Sequence, residues 1–208
     1  MRAPLQQGFT LIEVATIAVI VGMVLGLAFK GRDLMDSARV KSTQASAIKI
    51  QSAIALYHER YGRYPGDGCT GSTPTTEATC KGARDGLLNT ASERIAFWQQ
   101  LSPVAGVLSP ADRNTPLGVQ WNVVSKGSNL GAADSSAWIV AGNDGSQPTV
   151  DIRYVCAIDN EFDDGEPDTG NIRSSAAHGA GSGQYQQNDR CWSKGKTDLQ
   201  TLAIRILP

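Results

Sequence analysis

The feature that most constrains this chain is an uninterrupted apolar run close to its first residue. Phe9 to Phe29, FTLIEVATIAVIVGMVLGLAF, is 21 residues long and carries one ionisable side chain, Glu13. As a helix rising about 1.5 Å per residue it reaches roughly 32 Å, the thickness of a bilayer's hydrocarbon core. Lys30, Arg32 and Asp33 end it abruptly. A buried core helix is rarely this apolar in a chain of 208 residues, so the run reads as a membrane span. A secretory signal does not fit, because such a signal is cut after its apolar stretch at a small-residue site. Nothing of the A-x-A kind follows Phe29, and the small residue at a plausible cut is Gly8, ahead of the run. Cleavage there keeps the whole helix on the mature chain. The expected order is a leader over 1–8 and then a membrane helix over 9–29.

The residues around that cut carry a resemblance. Gly8-Phe9-Thr10-Leu11-Ile12-Glu13, behind a short leader containing Arg2, resembles the processing signature of type IV prepilins and type II secretion pseudopilins. The resemblance extends to about residue 65. It implies that a prepilin peptidase removes residues 1–8 and methylates the new amine of Phe9. It also implies a single-pass subunit of the bacterial inner membrane with a periplasmic head. Its partners would be membrane lipid, an inner-membrane assembly platform and other pilin or pseudopilin subunits. After assembly it would stand in a cell-surface pilus or a periplasmic pseudopilus. One departure is visible: many pilins have a helix-kinking Pro about where Lys30 stands, and pseudopilins often lack it.

Glu13 supports the same reading on physical grounds. A carboxylate within an apolar membrane helix costs a few kcal/mol, so such residues usually face a partner inside an assembly. The nearest cation is the freed amine of Phe9, on the same chain or a neighbour's. In a staggered bundle that pairing would set the axial register. The alternative is a protonated carboxyl tolerated near the interface.

The helix continues beyond the span, over 30–65. Lys30 to Tyr61 contains no Pro and only Gly31 as a glycine, and Leu34, Met35, Ala38, Ala45, Ile48, Ala53, Ile54, Leu56 and Tyr57 recur near a 3.6-residue period. Gly62 and Pro65-Gly66 are helix stops. The stretch from Tyr57 to Asp67 also resembles the Y-x-x-x-x-G-x-Y-P segment that closes this helix in pilin-like proteins.

Residues 66–208 read as a loop-rich α+β head. Ser92 to Leu101 predicts a short amphipathic helix with Ser92 as its N-cap and Pro103 as its stop. Val119–Val124, Ala137–Ala141 and Leu202–Leu207 suit strands. Residues 148–162 fit either period, with a helix starting near Pro148 favoured. The expected fold is pilin-like: a long N-terminal helix, its first half in the membrane, packed on a small antiparallel sheet with a disulfide-stabilised head.

Cys69, Cys80, Cys156 and Cys191 allow three complete pairings. None forms a Cys-x-x-Cys pair, which leaves zinc or thioredoxin-like chemistry without support. A head outside the cytoplasm permits disulfides. Cys69–Cys80 would close a loop of Gly, Ser, Thr and Pro, and Cys156–Cys191 would enclose the Gly- and Ser-rich stretch 165–190.

The acidic stretch from Asp159 to Gly170 is the one candidate site in the head. Asp159, Asp163, Asp164 and Asp168 around a glycine offer the oxygens of a calcium cage, though not with EF-hand spacing. Some pseudopilins bind calcium in head loops. The other reading is a solvated turn whose carboxylates cap backbone amides. Asn143-Asp144-Gly145 reads as a plain turn.

Composition narrows the function classes. With 19 basic and 20 acidic residues the net charge is −1, which argues against nucleic acid as a general partner. The only histidines are His58 and His178, and no nucleophile elbow, phosphate loop or histidine metal pair occurs, so an enzyme is not expected. The expectation is a structural filament subunit, a minor one given its large loop-rich head. The alternative is a membrane-anchored binding module, an adhesin, DNA-uptake or cargo-recognition tip protein, acting through the head.

Overall fold

A computed structural model describes residues 9–70, 80–125, 136–142, 148–174 and 185–207. The chain divides into two units, Met1–Ala38 and Arg39–Pro208. Helix α1, Leu11–Tyr61, supplies the described regular structure of the first and opens the second. In the first unit its large apolar side chains, from Leu11 to Met35, are exposed. An 18-residue window there has a mean hydropathy of 2.4, and none of it is buried.

From Arg39 onward α1 acquires a buried face. Val40, Thr43, Ala47, Ile50, Ala53, Ile54 and Tyr57 fall three or four residues apart and are closed off from solvent. The helix ends as expected: the Gly62 amide donates to the His58 carbonyl at 2.7 Å, and Gly62 takes the left-handed conformation at φ 68°.

Against that face lies a four-stranded antiparallel sheet. Its strands are β1 (Trp121–Ser125), β2 (Ala137–Ala141), β4 (Ile172–Arg173) and β6 (Leu202–Leu207), in the order β1-β2-β6-β4. Side chains alternate between faces, with a register shift where Ala137 and Trp138 meet the end of β6. Trp121, Val123, Ala137, Ile139, Ala141, Leu202 and Ile204 join the main core with α1, while Val124, Trp138, Val140 and Ala203 form a smaller cluster on the other face. The indole of Trp121 donates to Ser46 Oγ at 3.0 Å, and Gln51 Nε2 donates to the Arg205 carbonyl at 2.8 Å. These bonds lock the helix to both the edge and the interior of the sheet.

The local expectations are corrected in three places. Helix α2 is Ala91–Gln99, and its N-cap is Thr90 rather than Ser92. Thr90 wins because Glu93, three residues on, completes a capping box by accepting from the Thr90 amide at 2.8 Å. Pro103 does not stop the chain's winding: Gln100–Val104 forms a π-turn that contains it. Proline has no N–H and crowds the carbonyl four residues back, and the wider turn accommodates both effects. Finally, residues 148–162 split in two. Val150–Asp151 is a strand, β3, paired with β5 (Leu199–Gln200), and α3 begins at Ile152 and ends at Phe162. Asp151 is its N-cap, accepting from the Arg153 amide at 3.0 Å, so the helix starts after the β-branched Thr149-Val150 pair.

Two disulfides tie the head, Cys69–Cys80 and Cys156–Cys191, with sequence separations of 11 and 35.

Candidate functional site

The N-terminal constellation is only partly in view, since Gly8 lies outside the described residues. Phe9 precedes α1 and is exposed, and Glu13 sits in the first helical turn. The Glu13 amide is held by the Thr10 carbonyl at 3.1 Å and by Thr10 Oγ1 at 3.3 Å. No described residue donates to the Glu13 carboxylate, which stands on an uncovered apolar helix close to the Phe9 backbone nitrogen in sequence. A first-turn acid also complements the positive end of the helix dipole.

The acidic loop is built on the C-terminal half of α3. Asp159, Asp163 and Asp164 converge, with one carboxylate oxygen from each lying within 4.8 Å of the others; Asp168 does not join them. Most of their oxygens are already engaged. Asp159 Oδ1 accepts from the Gly165 amide at 3.1 Å and its Oδ2 from the Tyr185 hydroxyl at 2.7 Å. Asp163 Oδ2 accepts from the amides of Asn171 and Ile172. Asp164 accepts from the Glu166 amide at 3.0 Å and the Thr169 hydroxyl at 2.6 Å. Only glycine fits at two points of this turn. At Gly165 (φ 78°) a Cβ would run into Asn160 Oδ1, and at Gly170 (φ 71°) into Asp163 Oδ2.

Burial sets the electrostatics. Asp159 is fully enclosed, and desolvation pushes its pKa up to about 7 against the opposing hydrogen bonds from Tyr185 and Gly165. The charges of Asp164 and Asp163 push the same way. The Tyr185 phenol is likewise raised by burial and by the facing carboxylate. Asp164 is exposed enough that its slight desolvation is outweighed by the Thr169 and Glu166 bonds, which hold it below the usual range.

A second polar centre had no sequence signal. The Gln100 side chain, buried at the start of the π-turn, accepts through Oε1 from the Tyr57 hydroxyl and from the Gly66 amide at 2.7 Å. Its Nε2 faces the sulfurs of Cys69 and Cys80 at 3.4 and 3.2 Å. The other disulfide has a matching partner, for Asn160 Nδ2 lies 3.1 Å from Cys191 Sγ and 3.6 Å from Cys156 Sγ. All four cysteines are bridged, and His58 packs on Tyr64 with ring centroids 4.7 Å apart. His178 and the Asn143-Asp144-Gly145 turn lie outside the described residues.

No protein-family model matches the chain, and no curated protein matches it. Among solved structures it is similar to the major type IV pilin PilA1 from Clostridium difficile, at 13% identity and a TM-score of 0.42. The match covers 84% of this chain and 98% of that one.

Proposed function

We propose that the chain is a structural, non-enzymatic subunit of a type IV pilus or type II secretion pseudopilus. In this reading residues 1–8 are removed by a prepilin peptidase and the new amine of Phe9 is methylated. The subunit waits in the inner membrane with its head in the periplasm, then passes through an assembly platform into a filament. The observation that carries the reading is the apolar half of α1, wholly uncovered and bearing one carboxylate in its first turn. A helix of that kind needs lipid or other helices around it, and Glu13 needs a cation that the α-amine of a neighbouring copy supplies. The large loop-rich head favours a minor subunit, because every projecting loop must clear neighbours in a helical lattice.

Mass spectrometry of the mature protein tests the processing: the chain should begin at N-methylated Phe9, and Gly8→Leu should leave the precursor uncut. A mature start beyond Phe29 would remove the anchor and sink the reading. Glu13→Gln should leave membrane insertion intact while excluding the chain from sheared filaments. An unaltered yield of the variant in filaments would sink the pairing. Counting subunits in those filaments checks the minor role, which fails if this chain dominates.

A further inference from the structure

We infer that an exposed corner of the head, centred on Trp192, docks on the anionic headgroup layer of the membrane that holds the chain. The inference rests on the membrane-anchored reading above. Residues 190–197, RCWSKGKT, carry three cations and no acid in a chain whose net charge is −1. Trp192 is 46% exposed, an uncommon place for the largest apolar side chain. One part of its ring is already engaged: Tyr154 meets it edge-on at 5.5 Å, and the Arg153 guanidinium lies 6.0 Å from its centroid. The remainder faces solvent; Arg190 and Lys196, two and four residues away in sequence, are exposed, as is Asp198, while Lys194 pairs with Asp189 at 2.5 Å.

The position of this corner selects the partner. Tyr154 accepts a hydrogen bond from Arg39 at 3.0 Å, and Arg39 is the first residue of the head unit. Trp192 is therefore two contacts from the residue at which the chain enters the head. Arg39 follows Phe29 by ten residues, which rise about 15 Å as helix and cannot exceed about 35 Å at full extension. So short a tether keeps the corner at high effective concentration near the headgroups. Tryptophan beside cations is the residue pattern of a membrane–water interface, where the ring sits among headgroups and the cations meet lipid phosphate. A long polyanion such as DNA is disfavoured, since it would also meet the acidic remainder of the head.

The test uses the full chain in vesicles of phosphatidylcholine and phosphatidylglycerol whose acyl chains are brominated next to the glycerol. Trp121 and Trp138 are fully buried and Trp98 is half-buried, so the difference between wild type and Trp192→Phe isolates the quenching of Trp192. Wild-type emission should be quenched, and Trp192→Phe should lose most of that quenching. Arg190→Gln and Lys196→Gln should each lower the ratio of quenched to unquenched emission by about fivefold, the worth of one cation at an anionic surface. Equal quenching in the Trp192→Phe variant overturns the inference, as does equal quenching in vesicles without phosphatidylglycerol. So does a double-stranded oligonucleotide that perturbs Trp192 when the vesicles do not. Extraction of the same vesicles with alkaline carbonate separates the two readings. A retained chain with unquenched Trp192 overturns the docking alone, whereas a released chain overturns the anchor and the docking with it.

Discussion

The hydroxyl of Tyr57, in the last turns of α1, donates to Oε1 of Gln100 at 2.9 Å with both groups sealed from solvent. The same carboxamide holds the Gly66 amide and faces both sulfurs of the Cys69–Cys80 bridge. One side chain thus joins the end of α1, the turn that follows it, the first disulfide and the π-turn. Reversing the amide would set Nε2 against the Gly66 N–H, so its orientation is dictated by its neighbours.

Gln100→Ala should remove the shared acceptor of two buried donors and cost about 2–4 kcal/mol. Tyr57→Phe, which removes one donor, should cost about 1 kcal/mol. Urea denaturation of the two single variants and the double variant measures the coupling. Additive effects would mean that the bond contributes nothing of its own.

Loop length sets the worth of each disulfide. Replacing Cys69 and Cys80 by Ser should cost about 3 kcal/mol, and replacing Cys156 and Cys191 about 4 kcal/mol, on the chain-entropy relation. Thermal melts under non-reducing conditions compare them. A larger loss at Cys69–Cys80 would show that its contact with Gln100 outweighs the entropy of the shorter loop.

Asp159 predicts an inverted pH limb. Its folded pKa is raised to about 7 from an ordinary 3.8, so between those values the folded chain holds a proton that the unfolded chain has released. This group's contribution is therefore complete below about pH 4 and is lost as pH rises through 7. Asp159→Asn should flatten that part of the curve of stability against pH between 4 and 8. An unchanged slope would mean that the carboxylate is ionised throughout.

The acidic loop should hold itself together without metal. Asp163→Ala frees the amides of Asn171 and Ile172 and should cost about 1–3 kcal/mol. Calcium and a chelator should then give the same melting temperature in the wild type. If calcium instead raises it, and Asp163→Ala or Asp164→Ala abolishes the rise, the three converging carboxylates form a cage rather than a set of caps.

Long or strictly patterned elements were legible in the residues. The α1 pattern, β2 as the run AWIVA and β6 as LAIRIL needed no tertiary information. What escaped was short or decided at a distance. Strands β3 and β5 have two residues each, too few to show a period. The choice between Thr90 and Ser92 as a cap turned on where Glu93 reached. In the acidic loop the convergence of Asp159, Asp163 and Asp164 was readable from spacing, but the Tyr185 hydroxyl arrives from 26 residues away. Gln100 reads as an ordinary polar helix residue until Tyr57, 43 positions earlier, is folded against it.

Strand order has a consequence for synthesis. β2 lies between β1 and β6, yet Leu202 emerges from the ribosome 61 residues after Ala141. During that interval β2 leaves five residues uncovered that the folded head buries on both faces, together with an open hydrogen-bonding edge, a template for wrong partners. The Cys156–Cys191 bridge spans 35 of the intervening positions. Oxidation before the last strand docks shortens the loop that must close and lowers its entropic cost. The oxidase of the compartment would then govern how long nascent heads remain prone to aggregate, as well as how stable they become.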